Sequence, residues 1–235
     1  MTHEIRTPLN AIVGFTDLLQ AIDSPDDKRE MIRVIHNNCD MLLRLINDIL
    51  VLSNMDANAM EIIPHDIDVS QAFEELAKTL AQRVQEPGVE FQKDNPYETL
   101  LTRLDSDRIN QVITNFVTNA VKYTHQGHIK LGYRLQMRNE QGEMSNDGTG
   151  RQGLYFYCED TGSGIPNDKH KAIFERFVKL NDYVQGTGLG LPICKAIVEK
   201  CGGEIGLASE VGQGSTFWFW IPVDVREVKE KPVAS

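Results

Sequence analysis

The sequence predicts an α+β protein: a helical hairpin at the N-terminal end, then an α/β sandwich with helices on one side of a sheet. Three observations predict it. Residues 3–55 hold a helical apolar period with a single break at Ser24-Pro25. Beyond residue 60 the period changes, and short alternating stretches trade places with helical ones. Two glycine-rich turns, 160–166 and 186–191, then stand at a strand end and a helix start.

The first helix carries Ile5, Leu9, Ile12, Phe15, Leu19 and Ile22 on one stripe. In the second, Ile32, Ile35, Cys39, Leu42, Ile46 and Ile49 step by threes and fours, an a/d seam sustained over nearly three heptads. Ser24-Pro25 breaks the chain between them. Asp26 and Asp27 suit the start of the second helix as caps and as charges at the positive end of its dipole. A hairpin this long cannot bury its stripe alone, so two chains are expected to form a homodimeric four-helix bundle through residues 3–55. At about 1.5 Å rise per residue, residues 2–22 span roughly 30 Å and 26–55 roughly 45 Å, so about ten residues are expected upstream of Met1. The chain then reads as a piece of a longer protein.

The domain boundary falls near residue 60, giving 1–58, 59–225 and a tail or linker at 226–235. A strand is expected at Ile62–Ile67, a helix from Ser70 to about Gln85, and strands at Val89–Gln92 and Thr99–Leu104. A helix follows at Asp107–Tyr123, then strands at His128–Gln136 and Gly153–Glu159. Helices near Lys169–Phe174 and Thr187–Lys200 precede a closing strand pair, Glu204–Ala208 and Ser215–Pro222. The polar stretch 137–152 reads as a long, mobile hairpin tip.

Leu154, Phe156 and Cys158 alternate with Tyr155, Tyr157 and Glu159, so a strand delivers Asp160 to the sheet edge. Gly162 and Gly164 lack a Cβ and let the backbone turn and a flat ligand approach. A buried carboxylate there accepts a hydrogen bond from an exocyclic amine such as that of adenine. The alternative is a tight turn with a capping Asp. On helix 107–123, Ile109, Val112, Ile113, Phe116, Val117 and Ala120 form the core face. Asn115, Asn119 and Lys122 make a second, polar stripe. Asparagine is a poor helix former, so two of them one turn apart suggest ligation: an amide oxygen suits Mg²⁺ and a Lys suits phosphate. A solvated helix face is the other reading. Gly186-Thr-Gly-Leu-Gly-Leu191 opens a helix, and its glycines free successive N–H groups to face an anion. At the N-terminal end, His3 and Glu4 pair a nucleophilic nitrogen with a carboxylate that can orient or deprotonate it. Thr7 lies one turn further on the same face. Pro8 removes a helical hydrogen bond.

The 235 residues, 41% of them hydrophobic, support a packed core. A net charge of −10 argues against nucleic acid as the main partner. No apolar run is long enough to span a membrane, and no leader pattern appears. Cys39, Cys158, Cys194 and Cys201 form no C-x-x-C pair and read as core thiols in a reducing compartment. His36, His65, His125, His128 and His170 make no metal spacing.

Taken together in this order, the motifs closely resemble the transmitter core of two-component sensor histidine kinases over nearly the whole chain. His3-Glu-Ile-Arg-Thr-Pro-Leu-Asn10 looks like the H-box, Asn115–Tyr123 the N-box and Asp160–Pro166 the G1 box. Ile173–Phe177 looks like the F-box, Gly186–Leu191 the G2 box, and Gly212–Phe217 the final glycine motif. The resemblance implies a dimerisation and phosphoacceptor domain followed by an ATP-binding domain of the Bergerat type, shared with gyrase, Hsp90 and MutL. It implies that Asp160 reads the adenine amine, that Asn119 holds Mg²⁺, and that Asn115 and Lys122 lie near the phosphates of ATP. Tyr123, Gly162, Gly164, Ile165, Gly186, Thr187, Gly188, Leu189, Gly190 and Thr216 complete the implied nucleotide site. Phe174 and Phe177 anchor a lid, 178–187, in this reading, though core packing explains them as well. His3 attacks the γ-phosphate with Glu4 as base, and Thr7 places a water for the phosphatase reaction.

The implied partner is a response-regulator receiver domain, and the implied setting is cytoplasmic, with the full-length protein expected at a membrane. Lys179 is the only cation in the lid sequence, which puts its grip on the γ-phosphate in question. Two other classes stay open: a dimeric scaffold that binds ATP without transferring it, and a gyrase-type ATPase clamp.

Overall fold

In the computed structural model, residues 2–19, 22, 24–56, 59–139, 144–145, 150–178 and 187–232 are described. They divide into two compact units: 1–60 with 175–193, and 61–174 with 194–235.

The first unit contains the expected hairpin, α1 (Thr2–Leu19) and α2 (Pro25–Asp56). α1 is described through Leu19, Ile22 lies outside the helix, and the helix runs unbroken through Pro8. The cap of α2 is Ser24 rather than the aspartates. Its carbonyl accepts from Lys28 N–H at 3.1 Å and its hydroxyl from Asp27 N–H at 3.4 Å. Pro25 then takes the first helical position, where its missing N–H costs nothing, and Asp26 and Asp27 fill the first turn. Leu45 and Leu52 are the buried leucines of α2, while Leu43, Ile46 and Leu50 stay exposed. Of the expected seam, Ile32 and Ile46 are exposed within one chain, and Ile35, Cys39, Leu42 and Ile49 are half-buried.

The second unit holds a three-stranded sheet and a six-stranded one. β1 (His65–Asp68), β3 (Tyr97–Leu104) and β9 (Glu227–Glu230) form the first, in the order β1-β3-β9. The second runs β2 (Val89–Asp94), β4 (Gly127–Arg138), β6 (Arg151–Asp160), β8 (Gly214–Pro222) and β7 (Glu204–Glu210), with the short β5 (Met144–Ser145) on β4. Among the described strands only β2 and β4 pair in parallel. α3 (Val69–Ala81) touches β1 and β3, and α4 (Ser106–Tyr123) touches β4 and β6.

Two aspartates set the helix starts. Asp68 Oδ1 accepts from Ser70 N–H at 3.0 Å and Leu100 N–H at 3.1 Å, tying the start of α3 to β3. Asp105 caps α4 through Arg108 N–H at 3.1 Å and also holds Ile63 N–H at 2.9 Å. The buried face of α4 is the expected one, Ile109, Val112, Ile113, Phe116, Val117 and Ala120. Phe116 meets Phe217 and Phe219 at ring distances of 5.4 and 6.0 Å, and Phe156 stacks on Phe219 at 4.9 Å.

Four expectations change. The strand expected at Ile62–Ile67 begins at His65. The helix expected at 169–174 is two 3₁₀ turns, Asn167–Lys169 and Ala172–Phe174, since the i→i+3 bonds Lys169 N–H to Pro166 C=O and Phe174 N–H to Lys171 C=O close them early. Residues 227–230, expected as tail, pair with β3; Arg226 N–H binds Leu101 C=O and Lys231 N–H binds Pro96 C=O, both at 2.8 Å. Of the four thiols, Cys158 and Cys194 are buried while Cys39 and Cys201 are half-buried. Residues 140–143 and 146–149 of the expected hairpin tip lie outside the described residues.

Glu74 on α3 carries a pH signature. Its bond to Lys93, with help from Asn95 and Lys231, holds its carboxyl at about 2, well below the ordinary 4.5. The ionised form is favoured in the fold, so this stabilisation is complete above about pH 4.5 and is lost as the pH falls toward 2. Urea midpoints of the parent should drop over that window, and Glu74→Gln should flatten the drop. An unchanged slope in that variant contradicts the pairing.

Candidate functional site

Asp160 ends β6 opposite Ser215 on β8 and is only 6% exposed. Burial pushes its carboxyl above the usual range, and N–H groups of Gly162 and Ser215 work against that rise. The Gly162 bond is 2.8 Å. A carboxylate so placed has lone pairs left for a ligand's amine. Gly162 has no room for a side chain, because a Cβ there would stand 2.5 Å from Tyr123 C=O and 2.8 Å from Asp160 Oδ1. Gly164 has a φ of 67°, and a Cβ there would collide with Glu210 C=O.

Hydroxyl groups that the sequence reading missed brace this turn. Thr161 Oγ1 accepts from His128 N–H at 2.9 Å and donates to Gln126 C=O at 3.0 Å. Ser209 Oγ accepts from Ile165 N–H at 2.8 Å and donates to Gly214 C=O at 2.8 Å. Ser163 N–H reaches Tyr123 C=O at 3.4 Å, and Gly212 N–H reaches Ser163 C=O at 2.9 Å. The one available signal was a Ser beside a Gly-x-Gly turn, which is common in any hairpin. Thr216 faces Glu159 across the β6–β8 ladder.

On α4, Asn119 Nδ2 donates to Asn115 Oδ1 at 3.2 Å, and both side chains are half-buried. The bond consumes an Asn119 N–H and leaves that residue's oxygen as an acceptor. Lys122 Nζ lies 5.2 Å from the Tyr123 ring, whose hydroxyl burial pushes up. The polar stripe is thus no open solvated face. Asn115, Asn119, Lys122 and Tyr123 share the last turns of α4, and the Tyr123 carbonyl meets the Asp160 turn. Among the described residues no three His, Cys, Asp or Glu side chains gather as a metal site. An amide oxygen beside a polyphosphate is the sparse donor set that Mg²⁺ accepts.

The remaining predicted residues belong to the other unit. α5 (Gly190–Lys200) starts three residues later than expected: Leu189 C=O accepts its first bond from Ile193 N–H at 3.0 Å, and Thr187 Oγ1 accepts from Leu189 N–H at 3.2 Å in the turn before the helix. Gly188 has a φ of 68°, and its carbonyl accepts from Phe177 N–H at 2.9 Å. Phe177 has a φ of 64°, the one positive value for a non-glycine among the described residues. Such a conformation costs about 1–2 kcal/mol and is held here by the Gly188 bond. Gly186 and Lys179 lie outside the described residues, and so do the side chains of His3 and Glu4, whose backbone is helical. Thr7 is exposed on α1.

Residues 104–225, more than half of the chain, match the family of histidine kinase-, DNA gyrase B- and HSP90-like ATPases. Residues 1–58 match the His Kinase A phospho-acceptor domain. The chain belongs to the histidine kinase family. Hybrid signal transduction histidine kinase K of Dictyostelium discoideum is 34% identical over 95% of this chain and 19% of its own length. The autoinducer 2 sensor kinase/phosphatase LuxQ of Vibrio vulnificus is 34% identical over 98% of this chain and 27% of its own. The chain therefore spans about a fifth to a quarter of these relatives. Full-length ShkA, solved with AMPPNP, superimposes with a TM-score of 0.68 at 30% identity, covering 98% of this chain and 45% of that one. ThkA, solved with the response regulator TrrA, gives 0.69 at 25% identity, covering 94% and 59%. No helix among the described residues of this histidine kinase core is long and apolar enough to cross a membrane.

The glycines of the β7–β8 turn, which is bonded to the Asp160 turn, separate close approach from backbone freedom. Gly212 and Gly214 have φ values of 80° and 105°. A Cβ at Gly212 meets nothing within 4 Å, whereas one at Gly214 strikes Asp160 C=O. Gly212→Ala should cost about 1 kcal/mol from backbone strain alone, and Gly214→Ala about 3 kcal/mol or more. Urea unfolding measures both, and equal costs contradict the close approach.

Proposed function

We propose that the chain is the catalytic core of a sensor histidine kinase that binds MgATP, phosphorylates itself on His3 and passes the phosphoryl group to an aspartate of a receiver domain. The observation that carries this is Asp160: a buried carboxylate at a strand end, beside a glycine whose Cβ would stand 2.8 Å from that carboxylate. Asp160 accepts from the adenine amine. Asn119 supplies an oxygen to Mg²⁺, and Asn115 and Lys122 attend the phosphates. Bound Mg²⁺ neutralises charge on the phosphate oxygens. Tyr123, Ile165, Thr216 and the glycine loop through Gly190 complete the site, with Phe174 and Phe177 anchoring the lid.

In the reaction, the His3 nitrogen forms a bond to the γ-phosphorus as the bond to the β–γ bridging oxygen breaks. ADP leaves with the electron pair, and Glu4 takes the imidazole proton. Thr7 orients a water for the reverse dephosphorylation of the receiver. Domains 1–58 and 59–225 divide this work, in a homodimer joined through residues 3–55. The exposed Ile46, Leu43 and Leu50 on α2 support that dimer. The names of the relatives, hybrid signal transduction kinase and sensor kinase/phosphatase, support the receiver partner and the phosphatase direction. So does the ThkA complex with a response regulator. The cytoplasm is the proposed setting, with the longer protein at a membrane.

Incubation with γ-labelled ATP and Mg²⁺ tests the reading. The label should stay on the protein, resist alkali and be lost in acid, as a phosphoramidate does. His3→Gln should abolish it while leaving ATP binding intact. Label on that variant contradicts the assignment of His3, and label released only as free phosphate favours an ATPase clamp instead.

A further inference from the structure

Thr187 Oγ1 does two things at once. It accepts from Leu189 N–H at 3.2 Å, and it donates to Asp48 Oδ2 on α2 at 3.1 Å. A hydroxyl has one proton to give, so Asp48 claims it and fixes the hydroxyl's orientation. Asp48 follows Leu45 by three residues and precedes Leu52 by four, so it shares the one face of α2 that carries fully covered leucines. Leu189 and Ile193 are buried in the same unit. The carboxyl of Asp48 is half-buried, and burial pushes it up while Thr187 and Arg44 pull it back.

The consequence concerns the glycine loop, and it rests on the ATP-binding reading above. A phosphate seated on the loop would compete with Thr187 for the Leu189 N–H. It also brings negative charge to within one hydroxyl group of a carboxylate. We propose that Asp48 is a positioning residue that acts through Thr187 on the glycine loop, holding it in a state that excludes the nucleotide's phosphates. The tether and the phosphates compete for one amide and repel through one charge. Asp48 thereby sets nucleotide affinity without touching the nucleotide.

Two variants divide bond from charge. Asp48→Ala removes both, and Asp48→Asn keeps an oxygen for Thr187 while removing the charge. Titration with a fluorescent ATP analogue should show both variants binding roughly three- to tenfold tighter than the parent, with the gain of Asp48→Asn shrinking in high salt. Loss of a merely structural contact does not tighten binding. Without nucleotide, the Leu189 amide should exchange its hydrogen faster in Asp48→Ala than in the parent. Affinity equal to or weaker than the parent's in both variants overturns the proposal, as does unchanged Leu189 exchange. A parent that binds no ATP analogue overturns the kinase reading itself, which the variants' comparison with a binding parent does not.

Discussion

A buried negative charge organises the catalytic half of this chain. Taking a carboxylate out of water costs several kcal/mol unless hydrogen bonds replace the lost solvent. Asp160 has N–H donors from Gly162 and Ser215, which fixes where β6 must end and which strand lies beside it. The backbone then has to turn at once, and Gly162, Gly164 and Gly214 are where a side chain would collide. The carbonyl of Tyr123 fills the space that Gly162 leaves, so the C-terminal end of α4 is drawn to the same turn. The amides and lysine of α4 arrive there as a result of backbone packing.

Much of this was legible in the sequence because it follows from period. Leu154, Phe156 and Cys158 are buried as their alternation required, and the core face of α4 is the one its spacing marked. The far side of the sheet was not legible. Tyr157 and Trp220 are almost as buried as the core residues, although alternation puts them on the outer face. Their cover comes from pairing: the Tyr157 ring lies over Gly132, where a Cβ would stand 2.5 Å from the ring, and Trp220 lies over Gly153. Arg138 stacks on Trp218 and Trp220 at 5.0 and 5.4 Å. Cross-strand register decides such contacts, and a single strand's sequence does not contain it.

The other misses share a cause. β9 offers one apolar residue, Val228, so its pairing rests on main-chain bonds and on ion pairs such as Lys229–Glu98, neither of which shows as an apolar period. Ser24 replaces the expected aspartate caps because a hydroxyl and an aspartate are nearly equal at that task, and geometry chooses between them. In the site, the motif residues could be named in advance, while the bracing hydroxyls of Thr161 and Ser209 could not. On α2 the seam is open at Ile46, as a hairpin that cannot bury its stripe alone requires, and the face covered within one chain is that of Leu45 and Leu52. Each exposed Ile or Leu forgoes about 1.5–3 kcal/mol of burial, which a second hairpin would recover.

The central claim is that Asp160 reads an exocyclic amine, and the nucleotide base tests it most directly. Inosine triphosphate differs from ATP by an oxygen in place of that amine, with the same phosphates and ribose. Losing a hydrogen bond to a charged group is worth about 1.5–3 kcal/mol. Calorimetry should therefore find ATP bound roughly ten- to a hundredfold tighter than inosine triphosphate. Equal affinities would mean that the buried carboxylate serves only its own turn, and the account of this site would fail.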